Sequence, residues 1–305
     1  MRDRLATLFI CLVCTIPAVV GQTETEPTLK GVREMRVYDA YGSVVGEEVQ
    51  KGNVRKRLSF GNNGNLLEWT IYNTDGDETW RSTTKYDDKQ RKTEVSIYTG
   101  NSVLEQKFIY AENGKVAEEQ SFYNGNLAST IYHMYDNAGN LIETSGGETK
   151  TTYKYNGVGD LIEETRYVGN KKSSSSTYVY DSNRRKIKQG RNKESVNWKY
   201  DEKGNMVESL AAGSEGYRKT WKYDDNNLVT EQCEFRYGGQ LFEKYTYKYN
   251  ELNKLIEKYS YTTNGGIAEK TTTYKYDEKG NLIESLIIND GYVEGGQIRE
   301  YDYYE

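Results

Sequence analysis

Carboxylates, one histidine and a row of aromatics are the groups in this chain whose types and spacing could do chemistry. His133 is the only histidine, and the cysteines are Cys11, Cys14 and Cys233. A histidine-based nucleophile triad would rest on that single imidazole, and so sparse a set cannot build a Cys/His zinc site. His133 also falls two residues before Tyr135, a place filled by aromatics elsewhere, so it reads as a substitute for one of them. No glycine fingerprint for phosphate or dinucleotide binding follows an expected strand. Glutamates recur at Glu68, Glu94, Glu118, Glu143, Glu163, Glu208, Glu231, Glu257 and Glu284. Two carboxylates can flank a glycosidic bond, but a catalytic pair should interrupt a repeat rather than form it. These glutamates are expected to pair with lysines or tyrosine hydroxyls across strands. No catalytic residue, metal site or cofactor is expected. The functional candidate is Trp198, Trp221, Tyr247 and Tyr274, which occupy one repeat position. Such a row, beside carboxylates and amides, can bind sugar rings or extended peptides, or it can stack across strands and hold a sheet together. Trp69 and Trp80 fall outside that register and should pack the N-terminal end.

The elements that must position these residues follow from a repeated phrase. It reads Tyr-Asp-Glu-Lys-Gly-Asn-Leu-Ile-Glu at Tyr276 to Glu284, with close copies from Tyr200 and Tyr135. Aromatic anchors recur at Tyr38, Phe60, Tyr86, Tyr110, Tyr135, Tyr155, Tyr180, Tyr200, Tyr223, Tyr249, Tyr276 and Tyr301, a period of about 24 that marks a repeat protein. The residue after the anchor favours the start of a type I turn when it is Asp or Asn, and a glycine four after the anchor suits a left-handed site with a bulge. Gly42, Gly64, Gly114, Gly139, Gly159, Gly204 and Gly280 fill that place, with Asn227 and Asn253 as the next-best choices. Gln90 and Arg184 are exceptions, so their turns should be looser or differently shaped. In this hairpin Asp277 closes against Asn281, Tyr276 lies across from Leu282, and Tyr274 lies across from Glu284. Gly146-Gly147, Lys171 to Ser176 and Asn264-Gly265-Gly266 read as variable connections. Two strands per repeat give about 22 to 24 strands, too many for an open twisted sheet. The expectation is all-β: one antiparallel meander that coils or curls, with no domain boundary within 33–305.

Arg2 and Arg4 precede an apolar stretch from Leu5 to Val20, with small residues Val19 and Gly21 before Gln22. Residues 1–21 are therefore expected to be a cleaved secretory signal, and 22–32 a short linker. Removal would shift the net charge from −5 to about −6. That mild acidity, without clustered lysines and arginines, argues against nucleic-acid binding. Cys233 would remain as a lone thiol, expected to be a small filler rather than a nucleophile. The 29 tyrosines contradict disorder and fit a thin repeat array with little deep core.

The Tyr-Asp-x-x-Gly-Asn-Leu-Ile phrase, over nearly the whole chain after residue 32, resembles the YD repeats of RHS-type proteins. In large members of that family such repeats build a hollow shell, often around a toxic C-terminal segment. This chain is far shorter, repeats continue to Tyr301-Asp302-Tyr303-Tyr304-Glu305, and no proline follows Pro27, so the shell's Asp-Pro cleavage motif is missing. The resemblance implies a stand-alone repeat scaffold. The leading expectation is a secreted, periplasmic or cell-surface, non-enzymatic scaffold that binds a glycan or protein, not integral to the membrane after signal cleavage. Alternatives are an assembly component joining through its end strands and a carboxylate-based glycoside hydrolase.

Overall fold

The computed structural model describes residues 29–42, 49–191, 194–212, 216–236, 238–263 and 268–305. The expected signal and most of the linker lie outside the described residues, as does the Asn264-Gly265-Gly266 connection. The described chain forms 22 strands. They are β1 (Val32–Tyr41), β2 (Gln50–Phe60), β3 (Leu66–Tyr72), β4 (Glu78–Tyr86), β5 (Lys92–Thr99), β6 (Ser102–Tyr110), β7 (Val116–Tyr123), β8 (Asn126–Tyr135), β9 (Leu141–Gly146), β10 (Thr149–Tyr155) and β11 (Leu161–Val168). There follow β12 (Lys171–Tyr180), β13 (Lys186–Arg191), β14 (Glu194–Tyr200), β15 (Met206–Ala212), β16 (Arg218–Tyr223), β17 (Val229–Arg236), β18 (Gln240–Tyr249), β19 (Leu255–Thr262), β20 (Ala268–Tyr276), β21 (Leu282–Asn289) and β22 (Tyr292–Tyr303). Lys171 to Ser176, expected as a connection, is the first half of β12.

Each strand pairs antiparallel with the next, and β1 pairs with β22, Met35 facing Tyr301 and Val37 facing Arg299. The meander therefore closes into a barrel instead of coiling open. A ring of this many strands is too wide for side chains to fill, and most residues on both faces are half-exposed. True apolar burial is gathered at the closing seam. Val32, Met35, Val37, Leu58, Phe60 and Leu66 cluster there against Leu29, Trp69, Tyr301 and Tyr303. Farther along β1, Ala40, Leu286 and Val293 make a second cluster. Polar groups cross the same seam: Arg36 pairs with Asp302 at 2.8 Å, Tyr38 donates to Glu300 at 2.8 Å, and Lys51 pairs with Glu300. Tyr38 sits mid-strand in β1, so it anchors no hairpin, and Gly42 has no left-handed φ. The first expected repeat is thus the closing strand.

The other turns share one geometry. The N–H one after the anchor donates to the carbonyl five after it, as in Asp277 to Asn281 (2.9 Å), and the fourth residue's N–H donates back, as in Gly280 to Asp277 (2.9 Å). The Asp or Asn side chain accepts further amides, Asp277 Oδ1 taking the Asn281 N–H at 2.7 Å. Gln90 and Arg184 adopt the same left-handed conformation as the glycines, at φ 63° and 61°, so their turns are not looser. Their side chains reach the preceding turn: Asn65 donates to Gln90 Oε1 at 2.8 Å, and Arg184 holds Asp160 at 2.5 Å. Asn227 and Asn253 do likewise, accepting from Asn205 and Asn226. A tie between turns replaces glycine's freedom wherever the residue is not glycine.

Between hairpins the ladder stops short of the anchor: β19 and β20 last pair at Glu257 and Thr273, and β15 and β16 at Glu208 and Thr220. The anchor tyrosine spans the gap. Tyr86, Tyr110, Tyr135, Tyr155, Tyr180, Tyr200, Tyr223, Tyr249, Tyr276 and Tyr301 each donate a hydroxyl hydrogen bond of 2.7–3.0 Å. The acceptor is always the carbonyl six residues after the previous anchor, for example Met206 for Tyr223. Burial pushes the Tyr223 phenol above its ordinary range and Tyr301 up to about 12, so these hydroxyls stay protonated donors. Replacing Tyr223 by Phe should therefore cost about 1 kcal/mol, seen as a lower urea midpoint with unchanged far-UV circular dichroism.

Turn carboxylates set an acid limit. The Arg91 side chain holds Asp87 below the usual aspartate range, the Asn140 amide does so for Asp136, and the Arg185 backbone N–H for Asp181. A group whose folded pKa is depressed stabilises above its unfolded value and loses that contribution as pH falls through the folded one. Stability should be level down to about pH 4 and then drop. Asp136→Asn should flatten part of that drop, since Asn156 and Asn250 already serve the same turn position; urea midpoints at pH 7 and pH 3 would test this.

Candidate functional site

The hairpin bulge decides which side chains share a face. In every hairpin that starts from an anchor, the register slips by one between the anchor and the residue before it, as between Tyr276 and Lys275. Tyr276 faces Leu282 as expected, but Lys275 faces Glu284 and Tyr274 faces Ser285. The expected Tyr274–Glu284 juxtaposition is therefore wrong by one residue, and with it the assignment of the glutamates to the aromatic face.

The corrected register makes two columns. In the first, the residue before the anchor faces the one eight after it. Six such pairs are ion pairs at 2.5–3.2 Å: Lys85–Glu94, Lys154–Glu163, Lys199–Glu208, Lys222–Glu231, Lys248–Glu257 and Lys275–Glu284. The lysine side chains are 65–73% exposed, so each pair contributes little to stability. Lys199 and Arg218 hold Glu208 below the usual glutamate range, and Lys222 and Lys244 do the same for Glu231. A general acid for glycoside cleavage needs the opposite shift. This column matches the expected role of the glutamates as partners for lysine.

In the second column the residue two before the anchor faces the one nine after it, and here nothing is uniform. Trp198 faces Ser209, Trp221 faces Gln232, Tyr247 faces Lys258 and Tyr274 faces Ser285. The four aromatics do share a face, on alternate strands β14, β16, β18 and β20. Alternate strands lie about 10 Å apart, beyond the distance at which rings stack. Polar side chains stand between them. Gln232 is flanked on neighbouring strands by Trp221 and Tyr245. The Tyr245 hydroxyl donates to Glu243 at 2.7 Å, and Lys258 lies 4.2 Å from the centroid of the Tyr245 ring. All are half-buried. Burial pushes the Tyr247 phenol up to about 12, and burial also lowers the Lys258 ammonium.

The remaining candidates are structural in placement. His133 Nε2 stands 3.1 Å from Glu119, which also accepts from Gln106 at 2.8 Å. Trp69 and Trp80 meet edge to face at 5.3 Å beside the seam cluster, at the N-terminal end as expected. Cys233 is 8% exposed on β17, and burial pushes its thiol up. No group of three or more His, Cys, Asp or Glu among the described residues is arranged to hold a metal ion. Sequence reading missed Tyr245, Gln232 and Lys258 because its register placed Glu257, not Lys258, opposite Tyr247. Cys233 should react with a thiol reagent only slowly in the folded protein and fully once urea unfolds it, a contrast that absorbance labelling resolves.

The sequence pattern of the Teneurin YD-shell family matches residues 48–209. No curated protein sequence matches the chain. Among solved structures, a crystal structure titled TcdB2-TccC3-TEV is similar at 13% identity and a TM-score of 0.49, covering 82% of this chain and 16% of that one. The Tc holotoxin pore of Photorhabdus luminescens, mutated in TccC3, is similar at 12% identity and a TM-score of 0.48, with 84% and 18% covered. This chain thus spans less than a fifth of those relatives. A porin-like protein from Bacteroides uniformis gives 9% identity, a TM-score of 0.29, and coverage of 90% and 98%.

Proposed function

The chain belongs to the Teneurin YD-shell family, and from that premise we propose that it is a secreted, non-enzymatic scaffold that binds an extended glycan on its aromatic face. The observation that carries this reading is the second column. The hairpin geometry repeats around the barrel, yet the pairs at this position change from hairpin to hairpin and bring Trp221, Gln232 and Tyr245 into one row. Aromatic faces separated by an amide suit stacking on sugar rings with hydrogen bonds to hydroxyls between them. The spacing of about 10 Å between alternate strands favours a chain of rings over a single one.

Charge supports the placement in water. Lysine–glutamate pairs cover one face, and Lys219, Glu234 and Lys258 interrupt the other, whereas a barrel facing lipid carries an apolar band. The depressed glutamates argue for binding over glycoside hydrolysis. Assembly through end strands loses its basis, because β1 and β22 pair with each other and leave no free edge there. A secreted location rests on the signal expected at residues 1–21.

A glycan array tests the reading. The protein should retain a subset of linear glycans, and Trp198→Ala with Trp221→Ala should weaken capture at least about tenfold, as loss of two ring contacts worth about 1 kcal/mol each implies. Absence of any retained glycan, or capture untouched by both changes, would sink it.

A further inference from the structure

Among the described residues, Lys258 stands beside the candidate aromatics as a cation that no ion pair neutralises. Many lysines on the barrel have carboxylates at hand, as Lys219 has Glu234 at 2.9 Å, Lys244 has Glu231 at 2.6 Å and Lys270 has Glu294 at 2.5 Å, while a few, such as Lys186 by the Tyr178 ring, instead lie against an aromatic. Lys258 has no carboxylate within ion-pair distance among the described residues. It stands opposite Tyr247 and Thr272, over the ring of Tyr245, with the nearby Glu243 already taken by the Tyr245 hydroxyl. A half-buried ammonium against tyrosine rings is partly stripped of water. The position nine after an anchor is otherwise filled by residues such as Gln232, Ser209 and Ser285, so the repeat itself does not call for a lysine there.

Resting on the glycan reading above, we infer that the ligand is an anionic polysaccharide, whose carboxylate or sulfate pairs with Lys258 while its rings lie along Trp221 and Tyr245. Rings and acid then fall on adjacent rows of one face. Gln232, between the two aromatics, is placed to hydrogen-bond hydroxyls. The net charge of −5 gives the protein no general attraction for polyanions, so selectivity for them has to come from a local cation. Long-range repulsion is largely screened at ordinary salt.

Two matched pairs of polymers separate the acid from the sugar: polygalacturonate against its methyl ester, and dextran sulfate against dextran. Isothermal titration at 0.15 M salt should show at least one charged member bound about tenfold more tightly than its uncharged partner, the gain expected of a charge-assisted contact. Which pair responds tells carboxylate from sulfate. Lys258→Met should abolish the difference and Lys258→Arg should keep it, with melting temperatures confirming that both variants fold. Equal binding of charged and uncharged partners, weakened by Trp221→Ala, would overturn the inference and leave the glycan reading intact. Binding of neither pair, together with an empty glycan array, would overturn both. Should Lys258→Met fail to fold, the matched pairs on the unaltered protein decide the matter.

Discussion

The anchor tyrosine's hydroxyl bond to a neighbouring hairpin's backbone is the interaction on which the rest of this barrel depends. Within a hairpin, strands pair up to the anchor; between hairpins the ladder ends earlier, at Glu231 and Thr246 for β17 and β18. Carbonyls beyond that point would face a widening gap without a strand donor. Tyr249 closes it by donating to the Val229 carbonyl at 2.9 Å, and the other anchors repeat the solution. The ring supplies apolar area in a fold with few aliphatic residues, and the phenol end supplies the missing donor. Phenylalanine can fill the ring's role, as the buried Phe60 does, but cannot make the bond.

A ring of identical hairpins still has to end where it began, and there the repeated device gives way to ordinary packing. The seam concentrates the fully buried apolar side chains, Val32 and Phe60 among them, with ion pairs across β1 and β22. Tyr304 adds a hydroxyl bond of 2.5 Å to the Phe60 carbonyl, reaching past β1 to β2. Hydrophobic burial at one place thus complements weak, regular hydrogen bonding everywhere else, a division expected where stability is a sum over nearest neighbours.

Much of this was legible in the residues. The strand count, the turn at Asp277–Asn281 and the facing of Tyr276 with Leu282 all follow from the repeated phrase. What was not legible has a common cause, in that two-residue alternation was carried through a turn that contains a bulge. One extra residue flips the face of everything behind it, so Tyr274 meets Ser285 instead of Glu284. Closure was hidden because Tyr38-Asp39 looks like another anchor, whereas its strand runs opposite to the anchored ones. Gln90 and Arg184 misled because a left-handed residue was judged by its own preference alone. Their ties to neighbouring turns, visible only in three dimensions, offset the local cost of about 1 kcal/mol.

The same bulge separates what the fold needs from what it leaves free. Lysine and glutamate face each other at the first column in six hairpins, whereas Met134 opposite Glu143 and Val179 opposite Lys188 fill the same place elsewhere. The second column carries no such reciprocity: Thr144 stands opposite His133, Glu164 opposite Tyr153, and Lys258 opposite Tyr247, all in the same backbone setting. A position that tolerates hydroxyl, carboxylate and ammonium alike is not fixed by the sheet. The repeat does not fix Lys258 among its tyrosines, and the proposed anionic ligand would give that ammonium a partner beyond the Tyr245 ring.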